Sequence, residues 1–330
     1  MKIQLIERDG KFPNNALLRL GGWHFQHGDE VRLFRWPCEP WGDKAYCSTL
    51  FSWSKSDLPD WAEIGGPGYD LVKVLPPEIE NTRPLYSLYP DWQLSTGYTF
   101  RHCPRHCEFC IVGKLGNNED KKHYSIYDWW DPSFKSIMLL NNNTFYDPKW
   151  RETFHEIWDN DLMMWDGNGY DARLLDEEKI EYLYRSKWKH GVHFAFDRHE
   201  DWSLIEKACK LICSSPLRNF AVWYVMTGWK YTFQQDLDRI NLLRDYGMGV
   251  QALQFRQHDP VYMALYRWTF NRRVFFKVSF RDFVFNFNRD GPKWRKSDDI
   301  RDKIKRNLNK GRVRQRKDKA RIGWSVPVTN

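Results

Sequence analysis

No stretch of this 330-residue chain approaches the ~18 consecutive apolar residues that a membrane-spanning helix needs, so no membrane partner is expected. Its opening, MKIQLIERDGKFPNN, has too short an apolar run and too many charges for a secretory signal, and the expected location is cytoplasmic. The GxGxxG loop of dinucleotide binding is absent, and there is no internal repeat. Cysteine is sparse: seven residues, an odd number, three of them within eight positions. In a reducing compartment that clustering argues against a disulfide framework and for a metal.

What the chain has in abundance is aromatic rings, 17% of residues with 18 Trp. They can fill a core, line a pocket or stack on a nucleobase; for any single Trp, packing is the default. A hydrophobic fraction of 42% with 28% charged residues fits a globular protein long enough to bury a real core. The net charge of +8 is uneven, because residues 293–321 carry fourteen Lys/Arg against four Asp/Glu, and the rest of the chain is close to neutral. Such a tail attracts RNA or DNA without base specificity; the bland alternative is a solvated charge run.

Residues 1–92 alternate in pattern. KIQLIE (Lys2–Glu7) reads as a strand, and 14–27 as a helix with Leu17, Leu18, Leu20 and Trp23 in helical spacing and Gly28 ending it. Further strands are predicted at 30–34 and 45–52, and Gly65-Gly66-Pro67-Gly68 is a tight turn. This is a small Rossmann-like α/β domain, followed by a connector marked by Pro76, Pro77, Pro84 and Pro90. Residues 93–288 predict strands at 95–101, 136–141, 162–166, 192–197, 220–226 and 250–255, with helices at 148–158, 176–188, 202–213 and 233–246. Right-handed crossovers would curl this βα series into a partial (β/α)6 barrel with its site at the strand C-terminal ends. Residues 289–330 form the basic tail, with a short helix at 298–308.

The segment TFRHCPRHCEFCIVGK places Cys103, Cys107 and Cys110 on a loop directly after a predicted strand. Three thiolates at this spacing can hold three irons of a 4Fe-4S cluster. The fourth iron then stays open, able to chelate an amino and a carboxylate group. S-adenosylmethionine (SAM) carries both, and an electron from the reduced cluster can break a C–S bond of its sulfonium. A zinc knuckle is the main competing reading, but it wants a fourth ligand at regular spacing; His102 and His106 lie inside the loop itself. Buried free cysteines would not explain the spacing. Cys209 and Cys213, four apart on a predicted helix, read as core.

CxxxCxxC with the aromatic Phe109 before its last Cys resembles the signature of the radical SAM superfamily. The resemblance covers roughly residues 94–285 and implies a 4Fe-4S cluster, SAM and an external electron donor. The motifs Gly65-Gly66-Pro67-Gly68-Tyr69-Asp70 and Leu75-Pro76-Pro77-Glu78-Ile79-Glu80 are similar to the branch with a vestigial N-terminal cobalamin-binding-like domain, a type found in phages and bacteria. The cobalt-ligating His of DxHxxG is missing, with Asp9-Gly10-Lys11 near that place, so no cobalamin is expected. Where the superfamily carries GGE, this chain has Asn141, Asn142 and Asn143 after the second barrel strand. The resemblance implies that their carbonyls accept hydrogen bonds from the SAM amino group. It further implies a SAM carboxylate partner in Arg173, ribose-binding carboxylates in Asp171 and Asp197, and close backbone approach to the cofactor at Gly228. For Asp171 and Arg173, a pair that merely staples a loop is an equally good reading; for Gly228, the alternative is a plain turn. The helix containing DLDRINLL, residues 236–243, reads as packing.

Three function classes follow. The first is a radical SAM enzyme acting on nucleic acid, favoured by the tail and by basic residues between Tyr266 and Arg273. The second is a radical SAM enzyme for a small metabolite, which an aromatic pocket would suit equally. The third is a non-catalytic, metal-stabilised nucleic-acid binder, which metal analysis would distinguish by zinc in place of iron and sulfide. The reaction type is open.

Overall fold

A computed structural model describes residues 1–10, 12–255, 259–285 and 302–306. The chain is α/β with parallel sheets. It divides into two compact units, Met1–Asn168 and the described part of Gly169–Asp318, so the boundary expected at residue 92 falls inside the first unit.

The first unit opens with β1 (Lys2–Glu7), α1 (Asn15–Gln26), β2 (Glu30–Arg35), β3 (Lys44–Ser48) and β4 (Glu63–Gly65). They form a parallel sheet of order β2-β1-β3-β4. β1 is central because KIQLIE is apolar on both faces: Ile3, Leu5 and Ile6 are fully buried. Its one polar residue in the middle, Gln4, is satisfied by donating to Glu39 O at 2.8 Å and accepting from Trp41 N at 2.7 Å. Asn14 caps α1 by accepting from Ala16 N and Leu17 N, and the helix lays Leu17 and Leu20 on Ile3, Leu5 and Tyr46.

After the one-turn α2 (Pro77–Glu80) comes a second parallel sheet, β5 (Ser95–Gly97), β6 (Ser136–Leu139) and β7 (Met163–Asp166), with α3 (Trp150–Asp159) between its last two strands. β5 and β6 are shorter than predicted. Leu140 N still bonds Gly97 O at 2.9 Å. Beyond that point a side chain replaces the ladder, since Asn141 Oδ1 accepts from Thr99 N at 2.8 Å and Phe100 N at 3.1 Å. The backbone is thereby released from the sheet into a loop.

The second unit contains α4 (Glu177–Arg185), the two-residue β8 (Lys187–Trp188), β9 (Val192–Ala195), α5 (Trp202–Cys213), β10 (Ala221–Thr227), α6 (Phe233–Asp245) and β11 (Gly249–Gln254). β10 lies between β9 and β11 in a parallel sheet. Its alternation buries Ala221, Trp223 and Val225. A Thr232–Gln235 capping box starts α6. Three helices that the sequence reading did not place follow: α7 (Pro260–Phe270), α8 (Arg272–Lys277) and α9 (Phe280–Phe285). Their signals were present, with Asp259 as N-cap and Pro260 in the first turn of α7, and Asn271 capping α8. Of the basic tail, residues 302–306 are helical and Ile304 is fully buried; the rest of the tail, including the charge run at 310–321, lies outside the described residues. Among the described residues no helix is long and apolar enough to cross a membrane.

Candidate functional site

The cysteine loop leaves the C-terminal end of β5, and both of its ends are tied down within the first unit. At its start the buried Arg101 pairs with Glu80 of α2, and its guanidinium lies 4.1 Å from the centre of the Tyr98 ring. At its far end Gly116 N bonds Leu71 O at 2.9 Å, and a Cβ at Gly116 would fall 2.2 Å from Val72 O. Only glycine allows that approach. The two N-terminal motifs singled out above, Gly65–Asp70 and Leu75–Glu80, thus lead directly into the segments that hold the loop.

Within the loop, Cys103, Cys107 and Cys110 are half-buried, and no disulfide joins any of the seven cysteines. Cys110 N bonds Cys107 O at 2.9 Å in a tight turn around the half-buried Phe109. Cys103 is held through both its backbone groups. Asn118, itself 3% exposed, accepts from Cys103 N at 2.9 Å and donates to Cys103 O at 3.3 Å, while His102 Nδ1 lies 2.6 Å from Asn118 O. Asn118 was not foreseen: in the turn-like Gly116-Asn117-Asn118 its type carries no hint of a partner fifteen positions away.

The three consecutive asparagines run alongside this loop. Asn141 grips Thr99 and Phe100 as described, and its amide also donates to Thr99 Oγ1 at 2.9 Å. Asn142 Nδ2 donates to Arg101 O. Asn143, 6% exposed, directs Nδ2 at Cys103 Sγ, 3.9 Å away. Each asparagine therefore takes the next point along residues 99–103, continuing the β5–β6 pairing through side chains. Asn141 Oδ1, expected to face the SAM amino group, is engaged by the loop backbone.

Thiolate-forming cysteines, with an amide N–H aimed at one sulfur, are a donor set of the right chemistry for an iron–sulfur cluster. Among the described residues, however, no three His, Cys, Asp or Glu side chains are gathered as a metal-ion site. Two of the remaining cysteines suit a ligand role poorly. Burial pushes the Cys47 and Cys209 thiols up to about 12, which keeps them protonated.

Near the end of β1 the carboxylate of Asp9 accepts from Thr49 Oγ1 at 2.6 Å, Leu50 N at 2.9 Å and Phe51 N at 3.3 Å. It is committed to the loop after β3. Burial opposes its charge, but these bonds and one from Ser54 outweigh it and hold the carboxyl below its usual range. Lys11 lies outside the described residues.

The other expected site residues belong to the second unit. Asp171 and Arg173 do come together: Nε and Nη2 of Arg173 reach Asp171 Oδ1 and Oδ2 at 2.6 and 2.9 Å, and Nη1 reaches Asp201 at 2.8 Å. Burial works against the Arg173 charge, yet the two carboxylates outweigh it and raise its pKa. Asp197, just past β9, accepts from Met226 N at 2.8 Å, and burial raises its pKa against that bond. Gly228 adopts φ +77°, and its N–H donates to Asp236 at 2.8 Å.

That last contact exposes what the sequence reading of α6 missed. Asp236 and Arg239 are 1% and 0% exposed, and they pair with each other. Arg239 also donates to Phe196 O and to Met226 O, the latter at 2.8 Å. One buried ion pair thus joins the strand ends of β9 and β10 to the Gly228 turn. Burial, opposed by Arg239 and Gly228 N, lifts Asp236 to about 6. The sequence reading treated this helix only as packing and singled out neither residue. Compared with known proteins, no family model matches this chain and no curated protein is significantly similar to it.

Proposed function

We propose that this chain is a radical SAM enzyme of the partial (β/α)6 barrel type that holds a 4Fe-4S cluster through Cys103, Cys107 and Cys110. The observation that carries the reading is the cysteine loop itself. CxxxCxxC leaves the C-terminal end of a parallel strand, the edge at which open α/β folds bind ligands, and three asparagines hold its backbone and first thiol. When bound, the cluster would supply an electron to the SAM sulfonium and so a 5′-deoxyadenosyl radical. The chain's own residues do the rest within the first unit: Asn118 and Asn141–Asn143 orient the loop.

The proposed substrate is a nucleic acid, supported by the fourteen Lys/Arg against four Asp/Glu in residues 293–321. The test of the enzyme assignment is anaerobic reconstitution. The protein should take up about four iron and four sulfide per chain, as this cluster type requires, and with reductant should release 5′-deoxyadenosine and methionine. Cys103→Ala, Cys107→Ala and Cys110→Ala should each abolish both. Cys209→Ala should alter neither, and loss of iron in that variant would refute the ligand assignment.

A further inference from the structure

Asn143 stands where a SAM-binding residue is expected, yet its amide faces a cysteine sulfur. We infer that Asn143 is a positioning and redox-tuning residue for Cys103: its Nδ2–H donates to Cys103 Sγ, fixing that sulfur for ligation and raising the reduction potential of whatever iron–sulfur group it ligates. The inference rests on the cluster assignment above and assigns a role within it.

Three observations carry it. Asn143 Nδ2 lies 3.9 Å from Cys103 Sγ, at the long end for an N–H···S contact, so a small approach of the sulfur completes the bond. Asn143 is 6% exposed, so water does not compete well for the donor. The rest of Cys103 is also fixed, its N–H and C=O both bonded to the buried Asn118, so the sulfur is presented to Asn143 from a held backbone. Asn141 and Asn142 make no such contact; their amide groups go to Thr99, Phe100 and Arg101.

The chemistry follows from charge. A hydrogen bond to sulfur strengthens when the acceptor becomes a thiolate. It strengthens again when one added electron increases the negative charge on the sulfurs. The donor therefore favours the reduced form, and hydrogen bonds to sulfur are among the determinants of such potentials. Removing it should move the midpoint to a more negative value, making the one-electron reduction by an external donor harder.

The experiment is an EPR-monitored redox titration of the full-length protein after anaerobic reconstitution, with dithionite as electron source and iron and sulfide counted in parallel. Asn143→Ala removes the donor. Asn143→Asp is nearly isosteric and removes it too, placing a carboxylate beside the sulfur. Asn160→Ala, whose side chain bonds Glu156 O and Tyr127 Oη away from the cysteine loop, is the control. A midpoint shifted negative in both Asn143 variants, and unshifted in Asn160→Ala, is the expected result. Loss of iron in both Asn143 variants with an unaltered circular dichroism spectrum also supports the role, through its positioning half. An unchanged midpoint with full iron content overturns it. So does weakened SAM binding as the sole effect. Wild-type protein that takes up zinc but no iron and sulfide sinks the cluster assignment and this inference together, whereas a loaded wild type with unmoved variants sinks the inference alone.

Discussion

At the scale of single residues, side chains that look alike in the sequence do different work. Asn141, Asn142 and Asn143 are identical neighbours, yet one holds backbone N–H groups, one a carbonyl and one a sulfur. Asp236 and Arg239 lie in a helix that the sequence marked only as packing, and both are buried. Removing one partner of a buried ion pair leaves the other charge uncompensated. Asp236→Ala should therefore cost about 3–5 kcal/mol, checked by urea unfolding. The same residue gives a pH signature. With its folded pKa raised to about 6, Asp236 keeps a proton in the folded state that the unfolded chain has already released. Its contribution to stability is then full below its ordinary carboxylate range and is lost as pH rises toward about 6. The melting temperature of wild type relative to Asp236→Asn should fall across that window, and a flat difference would count against the raised pKa.

At the scale of elements, the structure explains why β5 stops early. A strand needs its neighbour's backbone, and after Leu140 the neighbour offers asparagine side chains in its place. Asn141→Ala should leave the N–H groups of Thr99 and Phe100 without acceptors at a buried position, a loss of about 1–3 kcal/mol for each group so stranded. Amide exchange at those two residues should accelerate, while exchange in β1 should change only as much as global stability does. The turn beyond the cysteines makes a second element-scale prediction. Gly116→Ala must push the loop end off Val72, and the expected outcome is lower iron uptake on reconstitution with the N-terminal sheet still folded. Uptake equal to wild type would show that this anchor is dispensable.

At the scale of the whole molecule, charge is segregated. A tail with a net charge of +10 over residues 293–321 leaves the remainder close to neutral. Part of that tail is built in: Ile304 is fully buried, and Lys303 Nζ lies 3.3 Å from Asp259. A cut before residue 302 would therefore remove packed structure as well as charge. Truncation after Asn309 takes away seven Lys/Arg and one Asp and spares the packed helix. If about six of the charges meet phosphate, the full chain should bind nucleic acid with a log–log salt slope of roughly −4 to −5, lower for single strands than for duplex. The truncated chain should lose most of that slope while keeping iron content and uncoupled SAM cleavage. Equal binding by both chains at low salt would move a small-molecule substrate to first place.

The sequence by itself determined the parallel α/β character, the positions of every strand but the short β4 and β8 to within a few residues, and the cysteine loop at a strand end. Those features depend on local signals: apolar runs, helical periodicity and the spacing of three thiols. Pairing across long separations was decided only in the tertiary structure. Asn143 meets Cys103 forty positions away because β5 and β6 lie in parallel register, and Arg101 meets Glu80 because α2 packs where the loop begins. The asparagines were legible as a polar stretch after the second barrel strand, but not the atoms each would bind. The Asp236–Arg239 pair was not legible, since the sequence marked its helix only as packing. A polar side chain has no preferred partner until the backbone fixes which donors and acceptors surround it, and that geometry belongs to the assembled sheets.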